Sequence, residues 1–348
     1  MQNKAVHQLA ATPSTRTLVA LGAFLLLALG LLASLLLGER PIAPSTVFDA
    51  LFHYEAASTT HTIVRDWRLP RALADVLVGA SLAVAGAIMQ AITRNPLASP
   101  GIMGLNSGAS FAAIVAIIFL PDSTRSQLML LSILGAAFGA ALVYGLGSLS
   151  RGGLTPVRLA LTGMAVSALL GAMSNGLTIY YQLGQDLMLW FARGTEGVGW
   201  RDVAMISPLI CIGLITAVSL APSLGVLSLG DQVARGLGQR TRATKFIAAV
   251  AVLVLAGSAV SLAGPVGFVG LVVPHLVRYL VGLNQRVVIP VSAVFGSILM
   301  LYADLLARLS TTPFKTPVPV GVVTALLGVP FFLYLACRRH SNSREGCV

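Results

Sequence analysis

From Phe246 to Val277 the chain runs without one formally charged side chain. A helix that crosses a bilayer takes about 20 mostly apolar residues, so this stretch is too long for one ordinary span. It is also too apolar for the surface of a water-soluble domain. Marked off against that length, the uncharged runs predict ten spans, at 18–37, 73–93, 101–120, 128–149, 159–181, 203–222, 246–263, 266–282, 287–307 and 319–336. The long run is divided at Gly264-Pro265, because proline lacks an N–H and glycine accepts turn dihedrals. Composition agrees: soluble chains are about one quarter charged, whereas 10% of these residues are charged and 56% are hydrophobic. The expected fold class is an all-α integral membrane protein, with tails at 1–17 and 337–348 around a membrane domain at 18–336. The first apolar run, Thr17 to Gly38, exceeds a signal-peptide core and has no good cleavage site before Glu39, so it counts as a span.

An even number of spans places both termini on one side. Nine of the 23 basic residues fall on the other side: Arg40, Arg65, Arg68, Arg71, Arg125, Arg193, Arg201, Arg308 and Lys315. The majority therefore lie with the termini, and the positive-inside bias makes that side cytoplasmic. Against the rule, Arg40, Arg65, Arg68 and Arg71 crowd into the first outer segment. They could snorkel to headgroups, pair locally or face a partner. The net charge of +11 would suggest nucleic acid in a soluble protein, but no basic run with interleaved aromatics supports a nucleic-acid partner. The lysines are Lys4, Lys245 and Lys315, none after a glycine, so the P-loop pattern G-x-x-x-x-G-K-[ST] is excluded. Any nucleotide chemistry must then come from another polypeptide. Cys211, Cys337 and Cys347 lack metal spacing, and His275 has no ligand-spaced partner, so no metal site is expected.

The spans contain two acids, Asp75 and Asp304, both near outer ends and each four residues from an arginine, Arg71 and Arg308. That spacing puts each pair on one helix face, and an ion pair is at least as good a reading as a transport role. A carrier driven by protons or sodium would hold its acids near the membrane centre. On the cytoplasmic side, the loop at about 224–245 carries Leu229, Gly230, Asp231, Ala234, Leu237 and Gly238. Asp231 is suited to cap a short helix that ends at Gly236 or Gly238. Such a helix could lie at the lipid surface or dock a soluble partner. Two small-residue stripes at i+4 spacing, Gly135-Gly139 with Gly147 and Gly163-Ser167-Gly171-Asn175, suit close helix packing. Asn175 is the exception, because an amide in an apolar span needs a partner or a wet path. The cluster Gly264 to Gly270 superficially resembles a phosphate loop but has no following lysine or strand.

Taken in order, several motifs resemble the FecCD-type permeases, membrane subunits of bacterial ATP-binding-cassette (ABC) importers for ferric siderophores, haem and vitamin B12. They are Arg68-Leu-Pro-Arg71, Gly79-Ala-Ser-Leu-Ala83-Val-Ala-Gly86 with Gln90, and Arg94-Asn-Pro-Leu-Ala-Ser-Pro100. Leu229-Gly230-Asp231 with Ala234 and Leu237-Gly238 follows, then Gly264-Pro-Val-Gly267-Phe-Val-Gly270-Leu271 with Pro274-His275 and Arg278. Ala303-Asp304 with Arg308, and Pro319-Val-Gly321-Val-Val-Thr324-Ala, complete the set. The resemblance implies a type II ABC importer permease of ten helices, paired with itself or a paralogue around a central pathway. It implies no cofactor and no ATPase site in this subunit, ATP and Mg being bound by a cytoplasmic ABC ATPase dimer. An extracytoplasmic substrate-binding protein would dock on Arg68, Arg71 and Arg308, and the ATPase on the loop from Leu229 to Gly238. Ser167, Gly171 and Asn175 would border the pathway, and the membrane would be the bacterial inner (cytoplasmic) membrane. The run from Arg94 to Pro100 and the following Gly104-Leu-Asn106-Ser-Gly108 look most like iron(III)-siderophore members, with vitamin B12 or haem as alternatives. An ion-driven secondary carrier and a passive channel are the competing classes. The chain departs from the family in having Pro317-Val318-Pro319 in place of Glu-x-Pro, and Trp190-Phe-Ala-Arg193-Gly194-Thr-Glu196 before Trp200. Arg193 and Glu196 could pair with each other or adjust the outer mouth.

Overall fold

The computed structural model describes residues 13–38, 41–149, 156–183, 194–314 and 318–331. Their regular structure is helical. Helix α1 (Pro13–Leu36) is followed by the short α2 (Pro44–Phe52) and by α3 (Thr59–Thr62), which continues through a π-helical turn at Ile63–Arg68 into α4 (Leu69–Thr93). A 3₁₀ turn at Pro100–Met103 leads into α5 (Leu105–Phe119), then α6 (Arg125–Ser148) and α7 (Pro156–Tyr180). The second part comprises α8 (Trp200–Ser228), the short α9 (Asp231–Gly236), α10 (Thr241–Ala263), α11 (Val269–Val281), α12 (Gln285–Phe314) and α13 (Val320–Phe331).

The helices fall where the uncharged runs placed them, with corrections of length. The expected break is present: α10 ends at Ala263 and Gly264 turns the chain at φ 70°. The helix after it starts later than expected and has 13 residues, about 20 Å at 1.5 Å per residue, short of a hydrocarbon core of about 30 Å. In the opposite sense, the run expected at 203–222 extends to 29 residues as α8 and continues through Pro208 and Pro222. Each proline removes one backbone donor, a loss a helix tolerates where neighbouring helices support it.

The bundle is built around α4. Within its apolar window, 83% of residues are buried, against 22% for α1. The reason is in its sequence: Gly79, Ala80, Ser81, Ala83, Ala85, Gly86 and Ala87 leave little side chain to hold neighbours away. A Cβ at Gly79 would lie 2.6 Å from the carbonyl carbon of Gly296 on α12, and one at Gly86 would lie 2.5 Å from Cα of Gly270 on α11. These are backbone-to-backbone crossings. A second crossing joins α5 to α6, where a Cβ at Gly108 would meet Gly139 Cα at 3.0 Å and one at Gly139 would meet Gly108 Cα at 3.2 Å. Gly135 and Gly139 therefore serve packing, as the small-residue stripe suggested. The stripe on α7 behaves differently. Gly163 is buried and Ser167 and Gly171 are half-buried, but a Cβ at Gly171 would meet nothing within 4 Å, and Asn175 is exposed.

Candidate functional sites at the two ends of the bundle

At one end, three helices are latched by charge. Pro70 stands where the π-helical turn passes into α4 and supplies no backbone N–H at that junction. One residue on, Arg71 donates from Nη2 to Asp304 Oδ1 at 2.8 Å and from Nε to both carboxylate oxygens at 3.2 Å. Arg308, one turn beyond Asp304 on α12, has Nε 2.9 Å from Oδ2. Its Nη2 donates to Ser34 Oγ at 2.5 Å and its Nη1 to the Ser34 carbonyl at 3.3 Å. Arg68 donates to the Leu35 carbonyl at 2.6 Å. The three arginines expected to face a partner thus gather around α1, α4 and α12, with guanidinium groups turned into the network. Side-chain exposure is 18% for Arg71, 11% for Arg308 and 2% for Asp304.

Of the two expected i,i+4 pairs, Asp304 with Arg308 forms, but Arg71 turns away from Asp75. Its planar fork fits the carboxylate of Asp304 across the helix interface, and Asp75 instead accepts from Thr195 Oγ1 at 2.7 Å. Both residues of that contact are fully buried. Thr195 lies in the run from Trp190 to Glu196 that departs from the family, where the sequence pointed to Arg193 and Glu196 and gave the threonine between them no role. Arg125 donates from Nη1 to the Glu196 carbonyl at 3.1 Å and from Nη2 to the Leu262 carbonyl at 3.4 Å, and its Nε lies 3.4 Å from Asp202 Oδ2. Trp200 Nε1 donates to the Arg65 carbonyl at 2.9 Å. A cavity of about 170 Å³ lies between Arg125, Met129, Gly194, Ser261 and Gly264. The capping box formed by Thr124 and Gln127 marks the helix start that positions Arg125, but its partners are too distant in sequence for local spacing to reveal. The alternative pairing of Arg193 with Glu196 cannot be described, because Arg193, like Trp190 and Pro317, lies outside the described residues.

At the other end, α8 runs into Gly230, whose φ of 122° suits glycine and strains other residues. Asp231 was expected to cap the short helix. It does not: Gly230 takes the cap position, and Asp231 stands in the first turn of α9 with Oδ2 bonded to Lys245 Nζ at 2.5 Å. The helix ends at Gly236, and Gly238 turns the chain at φ 79°. Gln239 fastens the return by donating to the Ser223 carbonyl at 3.0 Å and to Thr244 Oγ1 at 3.2 Å. Ala234 is buried, while Leu229 and Leu237 are 66% and 68% exposed. A pinned, short helix that presents apolar side chains is suited to a cleft in another protein.

The hydrogen bond from Lys245, aided by the charges of Lys245, Arg94 and Arg235, holds the Asp231 carboxyl below its ordinary value of 3.8. A depressed carboxyl contributes stability that is complete above the unfolded value and is lost as pH falls through the folded one. Hydrogen exchange of residues 231–238, corrected for intrinsic rates, is therefore expected to stay flat between about pH 5 and 8. Loosening inside that window would show that the ion pair does not hold α9.

Along α7, Ser167 and Gly171 are half-buried and Asn175 is exposed. They lie on a helix whose Leu161, Met164, Leu169 and Met173 are exposed. His275 stands edge-on to Phe331, ring centroids 6.0 Å apart.

A bundle of apolar helices, latched at one end by buried ion pairs and presenting a short helix at the other, defines a multi-pass membrane protein. Residues 26–338 match the model of the FecCD transport family, and the chain belongs to that family. It is 48% identical over 321 residues to the iron(3+)-hydroxamate import system permease protein FhuB of Bacillus subtilis (strain 168), covering 92% of this chain and 83% of the relative. It is 44% identical over 330 residues to the Fe(3+)-citrate import system permease protein YfmD of the same organism, covering 95% and 97%. A solved metal-chelate type ABC transporter in an inward-facing conformation superposes with a TM-score of 0.80 at 27% identity, covering 92% of this chain and 99% of that one.

Proposed function

We propose that this chain is the permease subunit of an ABC importer that carries an iron(III)-siderophore complex across the bacterial cytoplasmic membrane. The observation that carries the reading is near-full-length likeness to permeases of iron(3+)-hydroxamate and Fe(3+)-citrate import systems. The chemistry of the spans agrees with it. Asp75 and Asp304 sit at one end of the bundle and are engaged by Thr195 and by arginines, a poor arrangement for binding a coupling ion at mid-membrane. Energy then comes from ATP and Mg bound in a partner ATPase dimer, which docks on Leu229, Gly230, Asp231, Ala234, Leu237 and Gly238.

The exposed face of α7, with Asn175 among apolar side chains, fits a pathway shared with a second permease subunit, itself or a paralogue. Arg68, Arg71 and Arg308 fix the rim on which an extracytoplasmic binding protein docks. Because their charge is largely spent within the network, they act there mainly by holding register, and residual positive field steers the approach. Both termini and α9 lie on the cytoplasmic side in this reading. The metal arrives already chelated, so the permease needs no iron ligands and releases cargo by a change of access.

Uptake of radiolabelled iron(III)-hydroxamate into vesicles carrying the complete complex is expected to require internal ATP and the binding protein. Uptake by this chain alone, driven by a proton or sodium gradient and indifferent to ATP, would overturn the proposal in favour of an ion-driven carrier.

A further inference from the structure

We infer that Arg94 is a positioning residue that ties the docking helix α9 to the buried helix α4, giving the partner ATPase a direct hold on the bundle's centre. The inference rests on the proposed role of α9 as the ATPase dock. By chain connection, α9 is joined only to α8 and α10, so α4 would otherwise feel its motion second-hand. Arg94 closes that gap. It takes the C-cap of α4 in the left-handed region, φ 52° and ψ 30°, a conformation more natural to glycine. The loop behind it is fixed by the Asn95 side chain, which accepts from the Leu97 N–H at 3.0 Å, and by the Ala98 N–H bonded to the Asn95 carbonyl at 3.1 Å.

This turn leaves the guanidinium beside the coupling segment: a Cβ built on Gly230 would stand 3.4 Å from Arg94 Nη1. Asp231, the next residue, is bonded to Lys245, and its negative charge is also favoured by the charges of Arg94 and Arg235. One turn earlier on α4, Gln90 donates to the carbonyls of Gly270 and Leu271 at 3.3 and 3.2 Å and accepts from Arg278 Nη1 at 2.5 Å. The same end of α4 therefore holds α11 through Gln90 and meets α9 through Arg94. Its 25 residues span about 37 Å and reach the ion pair of Arg71 with Asp304 at the far end. A displacement of α9 is thus delivered to a single stiff element that touches both ends.

The test uses the complete complex in lipid vesicles, reading ATPase retention on the permease and stimulation of ATP hydrolysis by the binding protein. Arg94→Ala is expected to retain the ATPase as the parent does but to lose about tenfold in stimulated hydrolysis. Arg94→Lys is expected to restore most of it. Unchanged stimulation in Arg94→Ala would overturn the inference. So would loss of ATPase retention as severe as in Leu237→Glu, which would make Arg94 a docking contact. If Arg94→Ala does not fold, Arg94→Gln is read against Arg94→Lys: weaker stimulation in the glutamine variant supports the tie, and equal stimulation overturns it. The docking premise fails separately if Leu237→Glu leaves the ATPase in place.

Discussion

Replacing Asp304 by alanine is expected to lower the stability of the folded permease by about 3–5 kcal/mol, the usual cost of stranding buried partners of a lost charge. Asp304 is 2% exposed and is shared by Arg71 and Arg308, whose own side chains are 18% and 11% exposed. Removing the carboxylate leaves two guanidinium groups facing each other at the end of a low-dielectric bundle. Removing one arginine is milder, because Asp304 keeps the other, so Arg308→Gln should fall well short of Asp304→Ala. Thermal unfolding of purified variants in lipid nanodiscs distinguishes the two. If Asp304→Ala unfolds within about 0.5 kcal/mol of the parent, the cluster is not a latch.

Gly86→Val is expected to be the other damaging change, at or above the top of the 1–3 kcal/mol range typical of overpacking. The obstacle is backbone: a Cβ at Gly86 would lie 2.5 Å from both Cα and the carbonyl carbon of Gly270, and a peptide unit cannot swing aside as a side chain can. α4 and α11 would have to separate, drawing apart the bonds from Gln90 to Gly270 and Leu271. Gly171→Ala is the control: nothing lies within 4 Å of its Cβ, and replacing a glycine inside a helix should leave stability unchanged or raise it by up to about 1 kcal/mol. Equal behaviour of the two variants in nanodiscs would refute the close crossing.

What sequence reading could reach follows from the range of its signals. Uncharged length located the ten apolar helices found among the described residues and the break at Gly264-Pro265, because the cost of burying charge in lipid is a local property. It could not reach the shortness of α11 or the extension of α8, since helix ends are settled by packing and turns beyond the apolar run. Charge pairing was legible only at i,i+4. That rule found Asp304 with Arg308 but assigned Arg71 to Asp75, because nothing local reveals that Asp304 presents a better-placed carboxylate from 233 residues away. Arg125 and Thr195 were passed over for the same reason. Their partners are backbone carbonyls and a carboxylate on other elements, which leave no pattern along the chain. The short helix α9 was legible from its glycines. Its electrostatic anchor was not, since Lys245 stands 14 residues from Asp231, beyond any spacing that marks a pair on one helix.

The attachment of α1 has a consequence for the order of biogenesis. It is the least buried of the long helices, and its last turn is held by Arg308, whose Nη2 bonds Ser34 Oγ from 274 residues further along the chain. At about 5–20 residues per second, a ribosome needs about 14–55 s to pass from Ser34 to that arginine. During that interval α1 waits in the bilayer, its leucines outward and Ser34 without its eventual partner. The turn of α1 that Arg68 engages at Leu35, 33 residues on, is thus completed at Ser34 only when α12 arrives.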